Sequence, residues 1–141
     1  MIVSKIQILE EFFAHLERLD FAAVAALCAP DCVYEDMPVQ EAGRAVGPAA
    51  IVEKLRLGLG ELERLPTTIH RVVEQGDTLL VERTEVWHHR TGERATLEVM
   101  AVFVFRDGRL TLWRDYWDMN RLFSQQPSAW VERMVAAGAK A

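Results

Sequence analysis

Asp115 stands two residues from Trp113 and two from Trp117 in the segment Leu110 to Met119, LTLWRDYWDM. Strand alternation puts Trp113, Asp115 and Trp117 on one face and Leu112, Arg114 and Tyr116 on the other. A carboxylate held between two indoles is either a poised acid/base or one rescued by a buried cation, because desolvation disfavours its charged form. A second segment supplies a cation. In Leu79 to His89, alternation gives one face Leu79, Val81, Arg83, Glu85 and Trp87, apolar at both ends and charged in the middle. Arg83 and Glu85 are therefore expected to point inward, where the guanidinium fork can serve Glu85 and Asp115 together. A buried Glu–Arg–Asp group of this kind keeps one carboxylate ionised while the other holds a proton. The same three residues also fit a purely structural ion-pair network.

The elements that must position these groups follow from the apolar pattern. Ser4 and Gln7 form a capping box for a first helix with Ile6, Leu9, Phe12, Phe13 and Leu16 at helical spacing. Asp20 caps a second helix predicted from Phe21 to Ala29, stopping at Pro30, and Cys32 to Met37 reads as a short strand. Pro38 to Gly47 is a loop. A third helix is predicted from Gly47-Pro48 through Ile51, Val52, Leu55, Leu59 and Leu62 to Leu65-Pro66, weakened by Gly58 and Gly60. Beyond it lie four strands, TTIHRVVEQ, TLLVERTEVWHH, RATLEVMAVFVF and LTLWRDYWDM, separated by Gly76-Asp77, Arg90-Thr91-Gly92 and the hairpin signal Asp107-Gly108. The end of the chain reads as a short helical or irregular tail with Trp130, Val131 and Met134 in one apolar stripe. This order predicts a single α+β domain, residues 1–141, with three N-terminal helices packed on a strongly curved mixed or antiparallel sheet. The curved sheet and its helices form a cone with a deep apolar pocket.

Composition narrows the function classes. The chain has 141 residues, a formal net charge of -5 and no basic run, which disfavours nucleic acid and anionic membranes as partners. No apolar stretch reaches the roughly 18 residues of a membrane span, and no signal-peptide pattern opens the sequence, so a cytoplasmic protein is expected. Cys28 and Cys32 read as small core thiols, with a redox or nucleophilic role as the alternative, and no metal set surrounds them. His88 and His89, adjacent in a strand, point to opposite faces and are expected at the surface near a turn. Trp87, Trp113, Trp117, Met100 and Phe103 are candidates for lining an apolar substrate pocket, or simply for the core. Ser4, Ser124 and Ser128 lie outside the strands, with no nucleophile elbow.

Three segments together carry a resemblance. Tyr34-Glu35-Asp36-Met37-Pro38, Val81-Glu82-Arg83-Thr84-Glu85-Val86 and Leu112-Trp113-Arg114-Asp115-Tyr116-Trp117-Asp118 resemble the motifs of the limonene-1,2-epoxide hydrolase family. That family lies within the nuclear-transport-factor-2-like superfamily, with the ketosteroid isomerases and SnoaL-type cyclases. The resemblance implies that Asp115 is the water-activating base, Tyr34 a water-orienting phenol, Arg83 the bridge between carboxylates and Glu85 the acid that protonates the epoxide oxygen. It further implies one-step hydrolysis of a small, largely apolar epoxide, no cofactor, no metal and a homodimer. Two positions depart from it. Asp36 stands where the family has asparagine, and Glu85 is one methylene longer than the family's aspartate. An ionised aspartate accepts hydrogen bonds but cannot donate them, and beside Asp115 it is expected to share a proton with it. Two rival readings remain: a proton-transferring isomerase or cyclase using Asp36 or Asp115, and a non-catalytic ligand-binding or dimerisation module.

Overall fold

The computed structural model describes residues 3–139. Helix α1 (Lys5–Glu17) begins at the expected capping box, Ser4 accepting from the Gln7 amide while the Gln7 side chain accepts from the Ser4 amide. Its buried stripe, Ile8, Leu9, Phe12, Phe13 and Leu16, faces the sheet. Helix α2 (Phe21–Ala26), capped by Asp20, leads into strand β1 (Cys28–Asp36). A 3₁₀ turn (Gln40–Gly43) and the two-residue strand β2 (Ala45–Val46) precede helix α3 (Pro48–Leu59). Then come β3 (Leu62–Arg64), β4 (Thr67–Gln75), β5 (Thr78–His89), β6 (Arg94–Arg106) and β7 (Arg109–Tyr116), and finally helices α4 (Met119–Phe123) and α5 (Ser128–Ala139).

The sheet is mixed and strongly curled, an α+β cone. Its order is β2-β1-β7-β6-β5-β3, with β4 also pairing with β5. Every pair is antiparallel except β1 with β7, which run parallel. The Asp107-Gly108 turn joins β6 to β7 as predicted, with φ values of 51° and 77° and Arg106 paired to Arg109. Positive φ at both turn residues matches the twist of the flanking strands.

The principal boundary changes come from sheet pairing overriding local helical pattern. Helix α2 stops at Ala26 rather than Ala29, because the Leu27 carbonyl accepts from the Leu110 amide and Cys28 pairs with Leu110. Pro30, expected to end that helix, lies inside β1 where the register with β7 shifts between Cys28 and Val33; an interrupted ladder tolerates a residue with no N–H. Helix α3 ends at Leu59, and Leu62 belongs to β3, paired with His89, although its spacing also suits a helix. Of the two readings of the tail the helical one holds: α5 spans 12 residues, with Trp130 buried.

The concave face holds the core. The Phe12 ring packs edge-on against Trp113 at 4.8 Å and against Phe103 at 5.4 Å between centroids, tying α1 to β6 and β7. Cys28 and Cys32 are buried free thiols. His88 and His89 are buried as well, not at the surface, because β3 covers that end of β5 and His89 meets Gln126 at 2.6 Å. Among the described residues no helix is long and apolar enough to cross a membrane.

Candidate active site

β5, β6 and β7 lie side by side, and their inward positions place the charged groups. Arg83 on β5 and Asp115 on β7 are separated by β6, where Ala101 pairs with Asp115 and carries only a methyl group. The Arg83 guanidinium, 1 % exposed, reaches across: Nη1 and Nη2 donate to Asp115 Oδ1 and Oδ2 at 3.2 and 2.9 Å. Nε and Nη2 also donate to Glu85 Oε1 at 3.1 and 2.8 Å. One buried cation therefore bridges the two carboxylates, as the inward alternation of Arg83 and Glu85 along β5 predicts. Burying a charge is tolerable only when it is paired and hydrogen-bonded, and Arg83 meets both conditions.

Each carboxylate also accepts from an indole. Trp113 Nε1 donates to Asp115 Oδ1 at 3.0 Å, Trp87 Nε1 to Glu85 Oε2 at 2.9 Å, and Trp117 Nε1 to Asp36 Oδ1 at 2.8 Å. In the first two cases the pair is i and i+2 on one strand face, so the strand itself sets the geometry. Trp117 lies just past the end of β7 and turns back over Asp36.

β1 completes the cluster because it runs parallel to β7. Tyr34 pairs with Trp113 and Asp36 with Asp115, and the Tyr34 ring stacks on the Trp113 indole, 3.6 Å between centroids and 5° between planes. Burial, with the negative charges of Asp36, Asp115 and Glu85, holds the Tyr34 phenol well above its ordinary pKa, so it stays a neutral donor. The sequence alone does not announce the partner of Asp36. Lys54 of α3 places its ammonium 3.0 Å from Asp36 Oδ2 and 3.9 Å from the centre of the Tyr34 ring, and donates to the Gly43 carbonyl. A signal was present: Lys54 interrupts the inward stripe Ile51, Leu55 and Leu59, where an apolar residue belongs.

Burial raises the pKa of Asp36, opposed by Lys54 and reinforced by Asp115. It raises that of Glu85 too, opposed by Arg83 and reinforced by Asp115. With Asp36, Glu85 and Asp115 ionised against Lys54 and Arg83, the group carries one net negative charge. A single bound proton makes it neutral, which is the state a low-dielectric site favours.

These groups open onto a cavity of about 570 Å³ whose lining includes Tyr34, Asp36, Lys54, Glu85, Asp115 and the three indoles of Trp87, Trp113 and Trp117. Helix α5 closes one side through Trp130 and Met134, held by Trp130 Nε1 donating to the Gly58 carbonyl at 2.8 Å. Two expected lining residues fall elsewhere. Met100 is on the outward face of β6 and 46 % exposed, since it alternates out of phase with Ala101. Phe103 points inward but is buried in the aromatic core beneath Trp113, outside the cavity lining. Among the described residues no cluster of His, Cys, Asp and Glu is arranged to hold a metal ion.

Residues 9–113 match the SnoaL-like domain family, and the chain belongs to it, within the NTF2-like class of α+β cones. Its relatives include the epoxide hydrolase EphG of Mycobacterium tuberculosis, 32 % identical over 115 residues, covering 81 % of this chain and 73 % of EphG. A solved structure of an M. tuberculosis epoxide hydrolase of the limonene-epoxide-hydrolase-like type is 31 % identical, with 96 % of each chain covered and a TM-score of 0.72. A protein of ketosteroid-isomerase-like fold from Catenulispora acidiphila, crystallised with trimethylamine, shares the fold at a TM-score of 0.76 and 19 % identity, covering 90 % of this chain and 98 % of its own.

Proposed function

We propose that this chain hydrolyses an epoxide of a small, largely apolar molecule by one-step acid/base catalysis. The observation that carries the reading is the Arg83 bridge, which joins two buried carboxylates of unlike surroundings at one cavity. Asp115 takes a proton from water as the water attacks the epoxide carbon, and protonated Glu85 gives its proton to the leaving oxygen. The phenol of Tyr34 orients the water, and Asp36 accepts its second hydrogen. The balance is closed: water adds across one C–O bond, the proton leaving Asp115 later restores Glu85, and no covalent enzyme intermediate forms. The likeness to the M. tuberculosis epoxide hydrolase EphG at 32 % identity, and to a solved M. tuberculosis epoxide hydrolase structure at 31 %, supports the reaction class.

The lining supports the substrate class. Indoles and the side chains of Leu97, Val99 and Leu122 line much of the cavity, which suits an apolar molecule. The experiment is a panel of neutral terpene-like and aryl epoxides assayed for diol, comparing wild type with Asp115→Asn. Diol from wild type and a loss of about 10²–10⁴-fold in the variant supports the reading; wild-type failure with every epoxide argues against it. A second reading, proton abstraction from carbon, draws on the raised pKa of Asp36 beside the Tyr34 donor. Exchange of ketone α-protons for deuterium, abolished by Asp36→Asn, would favour that chemistry.

We also propose a homodimer, formed through the outward sheet face. There Val73 pairs with Leu80 and Met100 with Tyr116, and all four are exposed.

A further inference from the structure

We propose that Lys54 is a positioning residue that decides which carboxylate carries the site's single proton: by pairing with Asp36 it keeps that group ionised and leaves the proton to Glu85. The inference rests on the hydrolase reading above and concerns the one charged member of the cluster supplied by a helix. Asp36 Oδ2 faces the Lys54 ammonium at 3.0 Å, and Oδ1 accepts from Trp117 at 2.8 Å, so both oxygens are occupied by donors. Protonating Asp36 would leave a neutral carboxyl against the ammonium and forfeit the ion pair. The ammonium is itself held on three sides, by Asp36, by the Gly43 carbonyl and by the Tyr34 ring. It is thus fixed rather than available to bind an anionic ligand. Around Asp36 the other charged or titratable groups are Tyr34 on β1, Arg44 in the loop, Glu53 on α3, Glu85 on β5 and Asp115 on β7, with Arg83 between the last two. Of the cations, Lys54 alone touches Asp36 among the described residues.

Arg83 cannot make this choice, because it is shared between Glu85 and Asp115. Without Lys54, Asp36 would be a buried carboxylate beside Asp115 with only an indole for company, and it would compete with Glu85 for the proton. An asparagine at position 36 would have no charge to neutralise and would make the lysine unnecessary. Lys54 is therefore matched to the aspartate that stands at this position.

Two measurements test this. The first follows the Asp36 carboxyl by ¹³C NMR through a pH titration of wild type and Lys54→Met. Its midpoint is expected to rise by about 1–3 pH units in the variant, the usual effect of losing an opposite charge within 4–6 Å; an unchanged midpoint overturns the proposal. This reading needs no turnover, so it stands apart from the hydrolase assignment. The second is a double-mutant cycle on kcat/KM for whichever epoxide wild type converts. At fixed pH, Lys54→Met is expected to lower the rate by roughly 10–100-fold, matching the loss of ionised Asp36. The same change made in Asp36→Asn is expected to cost little. Equal losses in both backgrounds overturn the proposal. Should Lys54→Met unfold the protein, the Asp36→Asn/Lys54→Met pair still decides the matter: a folded double variant as active as Asp36→Asn upholds it, and an unfolded or inactive one contradicts it.

Discussion

Asp36 and Asp115 face each other across two parallel strands, yet each has its own cation and its own indole: Lys54 and Trp117 for the first, Arg83 and Trp113 for the second. Two adjacent carboxylates would ordinarily force a proton onto one of them. Separate cations remove most of that pressure, and the proton can settle on Glu85, which shares its cation with Asp115. The arrangement is a charge ladder across four strands and one helix at the wall of the cavity.

Shortening the acid tests the reach of this ladder. Glu85→Asp withdraws the carboxyl oxygens by about one C–C bond from Trp87 and Arg83, and a misplacement near 1 Å costs on the order of a hundredfold in rate. The expected outcome is a fall in kcat with KM little changed, measured on the best epoxide of the panel. A variant as fast as wild type would show that the longer side chain is not matched to this site.

Stability should carry the mark of the raised carboxylates. A group whose folded pKa lies above its unfolded value contributes stability at low pH that is lost as pH rises through the folded value. Asp36 and Glu85 are such groups, through burial. Glu35, held low by the Arg114 side chain, works in the opposite direction. The difference between Asp36→Asn and wild type isolates one contribution. Urea unfolding from about pH 4 upward is expected to show Asp36→Asn gaining on wild type as pH rises through the window above the ordinary aspartate range. A constant difference would mean that Asp36 titrates normally.

The outward sheet face gives a separate expectation. Leu80→Lys with Met100→Lys places two charges on the exposed apolar rows without touching the cavity. Light scattering after gel filtration should then report a monomer where wild type is a dimer, with the pocket side chains unaltered. Wild type that is monomeric at high concentration removes the proposal.

Much of this architecture was legible beforehand, and what was not has identifiable causes. Long strands declare themselves by alternation, so the inner-face placement of Arg83, Glu85 and Asp115 follows from the sequence, and the caps Ser4 and Asp20 follow from local chemistry. Helices α2 and α3 end earlier than the local pattern indicates because Cys28 and Leu62 obey helical spacing while they pair with β7 and β5. Met100 and Phe103 fall outside the cavity lining for another reason: periodicity does not separate core, where Phe103 lies, from cavity wall, and the apolar outer face that carries Met100 imitates an inner one. The Lys54 pairing is not legible in the sequence because its partner lies 18 residues earlier on another element. No local pattern joins the two; only the fold does.

The central claim is direct attack of water under the control of Asp115, and single-turnover hydrolysis in ¹⁸O water tests it most directly. With enzyme in excess over epoxide, mass spectrometry of the first diol formed should find one ¹⁸O atom in the product and none in the protein, and Asp115→Asn should form diol about 10²–10⁴-fold more slowly. Unlabelled diol in the first turnover, with ¹⁸O appearing in the Asp115 carboxylate, would contradict the account, because the attacking oxygen would then have come from the enzyme.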